Sequence, residues 1–158
     1  MKYLGLHLDK TLIWKTHVWT KRQLLNLKLN QLNWLLGNRS KLSLESKLLI
    51  YKVVLKPVWT YGLQLWGTCS NSNIEIIQRF QWKVLRKIAQ RPWFVSNKSL
   101  HQDLQTPYVK DEIVRYSSRY IKKLDSHPNH LALNLLDNNV HVHRIKRHSV
   151  LDLPSRFV

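Results

Sequence analysis

The 158-residue chain has a single cysteine, four glycines and nine acidic residues. One cysteine, Cys69, excludes an intramolecular disulfide framework and fits a reducing cytosolic or nuclear compartment. It lies in no local signature of a catalytic thiol. Four glycines leave no phosphate-cradling loop of the Walker or dinucleotide type. Two-metal chemistry on nucleic acids needs several carboxylates converging on one point, and no Asp-x-Asp or Asp-Asp occurs. Asp111 and Glu112 are the only adjacent acidic pair, and neighbours on a helix diverge by about 100°. No catalytic residue and no metal site is therefore expected. His127, His130, His141, His143 and His148 do not change that, because structural zinc sites usually recruit clustered cysteines as well. No run of 18 apolar residues occurs, which excludes a spanning helix and predicts no membrane partner. The opening Met1–Asp9 is too short in apolar residues for a secretory signal and reads like the middle of a protein, so an intracellular location is expected.

What the chain does have is positive charge. Lys and Arg total 26, giving a net charge of +17. Residues 1–95 hold 16 basic and 3 acidic groups, against 10 and 6 in residues 96–158. With so few acids to neutralise it, the first part carries a field of one sign, which favours a polyanion such as RNA, DNA or an RNA–DNA hybrid. The 44% of hydrophobic residues, seven Trp and six Tyr included, supply a core of ordinary size.

The pattern predicts a mainly α fold with one short N-terminal strand. Lys2–Asp9 alternates, with Leu4, Leu6 and Leu8 on one face. From Trp14 to Leu36, Trp14, Val18, Leu25, Leu29, Leu32 and Leu36 keep helical spacing, with Gly37 as a left-handed cap. Ser43 caps a helix whose inward stripe is Leu44, Leu48, Tyr51, Leu55 and Val58, and Pro57 should kink or divide it near Lys56. Val58–Gly67 fits either a second buried helix or an extended run. Ser72 and Glu75 form a capping box for a helix over 73–90 that turns Ile74, Ile77, Val84, Leu85 and Ile88 inward. Its other side carries Arg79, Lys83, Arg86 and Lys87, a basic rail with no acidic break. A short helix over 98–104 follows a Ser96/Asn97 cap. Thr106 and Pro107 are the expected start of a helix to Leu124, with Asp111/Arg115 and Glu112/Arg119 as ion pairs. A brief amphipathic turn over 131–136 comes next. The chain thus divides into an edge strand and turn (1–11), a basic helical region (12–95), a helical extension (96–137) and a poorly ordered basic tail (138–158) bearing Arg144, Lys146 and Arg147.

Basic and aromatic residues interleave, so phosphates can meet the cations while exposed bases stack on rings. The candidate backbone contacts are Lys15, Lys21, Arg22, Arg39, Lys41, Arg79, Lys83, Arg86 and Lys87. Trp19 and Trp82, at the polar margins of their helices, are candidate stacking residues, whereas Trp14, Trp59 and Trp66 are assigned to the core.

Two stretches resemble a family. Lys2-Tyr3-Leu4-Gly5-Leu6-His7-Leu8-Asp9 with Leu12–His17 resembles the segment after the catalytic palm in non-LTR (LINE-type) retrotransposon reverse transcriptases. The run from Leu48 to Gly67, ending Tyr61-Gly62-Leu63-Gln64-Leu65-Trp66-Gly67, together with Ile74–Gln81, is most similar to the jockey-type elements of arthropods. The resemblance implies a piece of an RNA-directed DNA polymerase: the edge of the palm, then a thumb and its extension gripping template and primer. It also implies that the Mg-binding carboxylates of the family, including its Tyr/Phe-x-Asp-Asp loop, lie upstream with the palm and fingers, which are then the natural protein partners. No position here matches that loop, so the chain is expected to be inactive alone and to need no cofactor of its own. Two other readings remain open: a stand-alone RNA- or DNA-binding remnant, and a structural domain whose apolar Val53–Trp66 segment packs on another subunit.

Overall fold

The computed structural model describes residues 1–134 and 150–157, and it is mainly helical. Arg144, Lys146, Arg147, His141, His143 and His148, and the end of the expected 131–136 turn, lie outside the described residues. Among those described, no helix is long and apolar enough to cross a membrane.

The N-terminal alternation folds into a hairpin, correcting the single strand. Strands β1 (Lys2–Tyr3) and β2 (Leu6–His7) pair antiparallel, Lys2 opposite His7 and Tyr3 opposite Leu6. Leu4 and Gly5 between them both have positive φ, the backbone that a two-residue hairpin turn requires. Leu6 is buried and Leu4 is exposed. The turn is fixed from outside: the Tyr61 hydroxyl donates to the Leu4 carbonyl at 2.7 Å.

Helix α1 (Lys15–Gln31) ends at Leu32, and a short α2 (Asn33–Leu36) follows, so the expected single helix is in two pieces. Gly37 is extended (φ −75°, ψ 171°) rather than left-handed, and its N–H closes α2 on the Asn33 carbonyl at 2.9 Å. The buried stripe Trp14, Val18, Leu25, Leu29 and Leu36 is as the spacing requires. Ser43 caps α3 (Leu44–Ile50), its side chain accepting from the Ser46 N–H. One wide π-helical stretch, Tyr51–Leu55, then leads into α4 (Lys56–Thr60), with Pro57 in the first turn of α4, where its missing N–H costs nothing. The wider turn shifts the buried stripe: Leu44 is exposed, while Tyr51, Leu55, Trp59 and Leu63, four residues apart, are wholly buried. Tyr61 and Gly62 (φ 68°) make the corner into α5 (Leu63–Trp66), which answers the open question about Val58–Gly67.

Helix α6 (Asn71–Ala89) buries Ile74, Ile77, Val84, Leu85 and Ile88 as expected. Its cap is Ser70 rather than Ser72, accepting from the Asn73 N–H. Ser72 sits in the first turn with its hydroxyl on that of Ser70. Ser96 caps α7 (Asn97–Asp103). Helix α8 (Val109–Asp125) starts later than Thr106-Pro107 suggested. The Thr106 hydroxyl is spent on the Leu104 carbonyl, and the Asp111 carboxylate reaches back to the Tyr108 N–H instead. Neither expected ion pair forms as drawn: Glu112 is wholly buried and binds Lys56 of α4 as well as Arg115. Helix α9 (His130–Leu133) follows.

Contacts between α1 and α6 climb in step. The Asn73 side chain donates to the Ile13 carbonyl, Arg22 lies over the Phe80 ring, and Lys87 bonds Asn33. The two longest early helices therefore run side by side in the same direction. Residues 150–157, the described part of the expected tail, pack against the helices. Leu153 is fully buried, and the Arg156 guanidinium donates to the carbonyls of Gly67 and Cys69 and to the Asn71 side chain.

His17 sits inside this core with no solvent exposure, among Trp14, Trp66 and His7. Its Nδ1 accepts the His7 backbone N–H at 3.3 Å, so a second ring proton would face another donor. Burial, with Lys21 and His7 adding to it, pulls its pKa from 6.5 down to about 4. Below pH 6.5 the unfolded chain takes up this proton and the folded chain does not, so stability is complete above that value and drains away toward pH 4. His17→Asn keeps an acceptor for the His7 N–H without a titrating group. The expected result is a shallower fall of the unfolding free energy, read from urea titrations, between pH 7 and pH 4.5, by about 1–3 kcal/mol relative to the parent.

Candidate nucleic-acid interface

The stripe that buries one side of α6 leaves the opposite side to its cations. At the C-terminal end of that helix a depression of about 400 Å³ is lined by Lys83, Arg86, Lys87, Arg91 and Asn38, among others. Asn38 and Lys87 are shared with a second concavity, of about 550 Å³, whose wall is built by Asn33, Trp34, Gly37 and Arg39. Together they form one trough between α2 with its following loop and the end of α6. Among the described residues no carboxylate lines either part. The nearest ion pair is Arg91 to Asp103 at 3.9 Å, both half-exposed, which leaves most of the charge uncancelled.

The nine cations picked from the sequence do not play one role. Arg39, Lys83, Arg86 and Lys87 are brought together at the trough, with exposed Lys41 two residues beyond Arg39. Arg86 is a brace: its guanidinium donates to the carbonyls of Pro92, Trp93 and Val95 and to the Asn97 side chain, holding the loop after α6. Lys87 bonds the neutral Asn33 amide and keeps its charge. Halfway along the α1–α6 seam, Arg79 is exposed and Arg22 is half-buried over Phe80 at 4.9 Å. Burial, then the like charge of Arg79, holds the Arg22 guanidinium below its ordinary pKa. Lys15 and Lys21 belong to the far, N-terminal end of α1. There Lys21 lies 5.1 Å from the Tyr61 ring centre, its pKa lowered by burial and then by Lys2.

Of the aromatic candidates, Trp19 is 56% exposed. Trp82 is half-buried, and its indole N–H donates to His101 Nε2 at 3.1 Å, part of a buried network with Gln78 and the Thr106 carbonyl. Burial lowers the His101 pKa, outweighing the bond to the Thr106 carbonyl and the nearby Asp111, which both favour the charged ring. Trp14, Trp59 and Trp66 are in the core. The sequence reading missed Trp34, which is 73% exposed on the trough wall. The signal was there: Trp34 is two residues from both Leu32 and Leu36, about 200° around a helix from each, so it must face away from their stripe.

Cys69 is buried, and burial pushes its thiol up to about 12, which leaves it protonated and inert. Among the described residues no three His, Cys, Asp or Glu side chains are grouped to hold a metal ion.

The two stretches that carried the family resemblance meet in space. Tyr61 of one binds the hairpin turn of the other, Gly62 packs against Leu6, and Trp66 lies beside His17. A Cβ at Gly62 would stand 2.6 Å from Leu6 Cδ2. These motifs pack on one another, and none of their residues is among those that line the trough.

No family model matches the sequence, and no solved structure matches the chain. Curated relatives do. The chain is 45% identical over 155 residues to a probable RNA-directed DNA polymerase from transposon X-element of Drosophila melanogaster, covering 98% of this chain and 17% of that protein. It is 36% identical over 162 residues to the RNA-directed DNA polymerase from mobile element jockey of the same species, covering 98% and 18%. The jockey polymerase of Drosophila funebris is 37% identical over 134 residues, 85% of this chain and 15% of its own length. The chain thus spans less than a fifth of the length of these relatives. Along 98% of its length it is homologous to the RNA-directed DNA polymerases of jockey and other non-LTR transposons of Drosophila.

Proposed function

We propose that this chain is the part of a mobile-element reverse transcriptase that grips template and primer, the thumb and its extension, holding nucleic-acid backbone without reading sequence. The observation that carries this is the trough, where Arg39, Lys83, Lys87 and Arg91 converge on one concave surface that, among the described residues, no carboxylate lines. A polymerase must hold a duplex whose sequence changes at every step. Phosphate contacts suit that task, because they position a strand and carry no base information. An RNA–DNA hybrid near A-form is reached chiefly through backbone and minor groove, which a helix edge bearing long cationic side chains can follow. The same segment scatters its few carboxylates, so in this reading it grips and does not polymerise; the metal-dependent step belongs to the palm.

The test is a double replacement, Lys83→Ala with Lys87→Ala. Arg86 is left alone because its removal would release the 91–97 loop. Both lysines end on the surface, so the melting temperature should hold. Affinity for RNA–DNA hybrids of unrelated sequence should fall by about the same factor, roughly tenfold, for each of them. A loss confined to one sequence would make these residues base readers and defeat the proposal.

A further inference from the structure

We infer that the trough takes an unpaired strand, with Trp34 at one end and the Trp93–Phe94 pair at the other stacking on bases. This rests on the nucleic-acid reading above and narrows it to a substrate class. Three rings carry the inference. Trp34, Trp93 and Phe94 are 73%, 86% and 71% exposed, whereas Trp14, Trp59 and Trp66 in the same small protein are at most 5% exposed. One ring lines the trough itself, and the other two follow in the chain the residue that closes its far end. Trp34 lines the trough beside Arg39 and Lys87. At the other end Pro92 lines it beside Arg91, and Trp93 and Phe94 follow directly in the chain.

The exposure at the second end is held in place. Arg86 takes the carbonyls of Pro92, Trp93 and Val95 from behind, which pins the loop backbone while the two rings project. They meet edge to face, 6.1 Å between centroids. A loop of random conformation would turn such rings onto the nearby apolar surface, since each buries a large area when it can. Here the brace prevents that.

A duplex cannot use these rings along its length. Its bases are stacked on one another, and it offers the trough only phosphate and sugar. A single strand offers both a chain of phosphates for Arg39, Lys83, Lys87 and Arg91 and free base faces for the rings, and every base has such a face, so stacking remains indifferent to sequence. Cations between aromatic posts are the layout that this ligand matches.

The experiment compares three probes on the full chain by fluorescence anisotropy. They are an oligonucleotide of about ten nucleotides, an abasic strand of the same length, and a blunt duplex. The parent should bind the base-bearing strand about tenfold or more tighter than the abasic one. Trp34→Ala and Trp93→Ala should each weaken the base-bearing strand about tenfold while shifting the abasic strand and the duplex by less than about twofold. Lys83→Ala with Lys87→Ala should weaken all three probes. Equal affinity for base-bearing and abasic strands, or a Trp34→Ala effect shared by all three probes or seen in none, overturns the stacking inference and leaves backbone gripping intact. Absence of binding to every probe at low salt overturns both.

Discussion

Raising salt from roughly 50 to 200 mM should weaken binding of an RNA–DNA hybrid by about two orders of magnitude. The figure follows from counting the free cations at the trough. Arg39, Lys83, Lys87 and Arg91 line it, Arg91 opposed only by the half-exposed Asp103 at 3.9 Å, and Arg86 is left out because its guanidinium is committed to the loop after α6. Each phosphate neutralised releases condensed counterions, with a slope of roughly 0.7–0.9 in log affinity per log salt. Four contacts give a slope near 3, hence about 50- to 150-fold over that range. The double variant Lys83→Ala with Lys87→Ala should remove about 2 contacts from the slope as well as weakening affinity. A flat response, or a slope unchanged in the variant, would remove the electrostatic basis of the trough. A slope of about 6–7 would mean instead that Lys15, Arg22, Lys41 and Arg79 also reach phosphates, and that the strand runs the length of the α1–α6 seam.

That count could not be made from the sequence, and the reason is physical. Local patterns give a residue's face of a helix, and here they were right where the contacts are local. The buried stripes of α1 and α6, and the Ser43 and Ser96 caps, depend on neighbours within a few turns. What escaped depends on partners far along the chain. The positive φ of Leu4 is held by Tyr61, 57 residues away. Arg86 shares its face with Lys83 and Lys87, and only the path of the chain after Gln90 turns it from a phosphate contact into a brace. Leu153 and Arg156 looked like part of a loose basic tail because nothing near them in sequence reveals the carbonyls of Gly67 and Cys69. The charge asymmetry and the rail were legible; which cations are free to act was not.

Glu112 is the clearest such case, and its replacement should have the largest effect on stability. With nine acids against 26 bases, a surface position would seem the natural place for every carboxylate. Glu112 is instead fully buried, with one oxygen 2.5 Å from Lys56 Nζ and the other on Arg115. Arg115 is nearly half exposed and can turn to water if released, but the Lys56 side chain is 17% exposed and has no such escape. Glu112→Gln keeps the shape and removes the charge, so a lysine is left desolvated beside a neutral amide. Breaking a buried pair from one side costs about 3–5 kcal/mol. That is a large share of the roughly 5–15 kcal/mol that holds such a domain together. The urea midpoint should drop accordingly at pH 7. The double replacement Glu112→Leu with Lys56→Met should recover most of the loss, because an apolar pair of similar volume avoids the desolvation of both charges. A small effect of Glu112→Gln, below about 1 kcal/mol, would mean that Lys56 reaches solvent readily, and the tie between α4 and α8 would then rest on packing alone. If the loss is as large as expected and the double variant recovers, binding to the RNA–DNA hybrid should return with the fold. Neither Lys56 nor Glu112 is among the residues that line the trough, where Arg39, Lys83, Lys87 and Arg91 supply the charge.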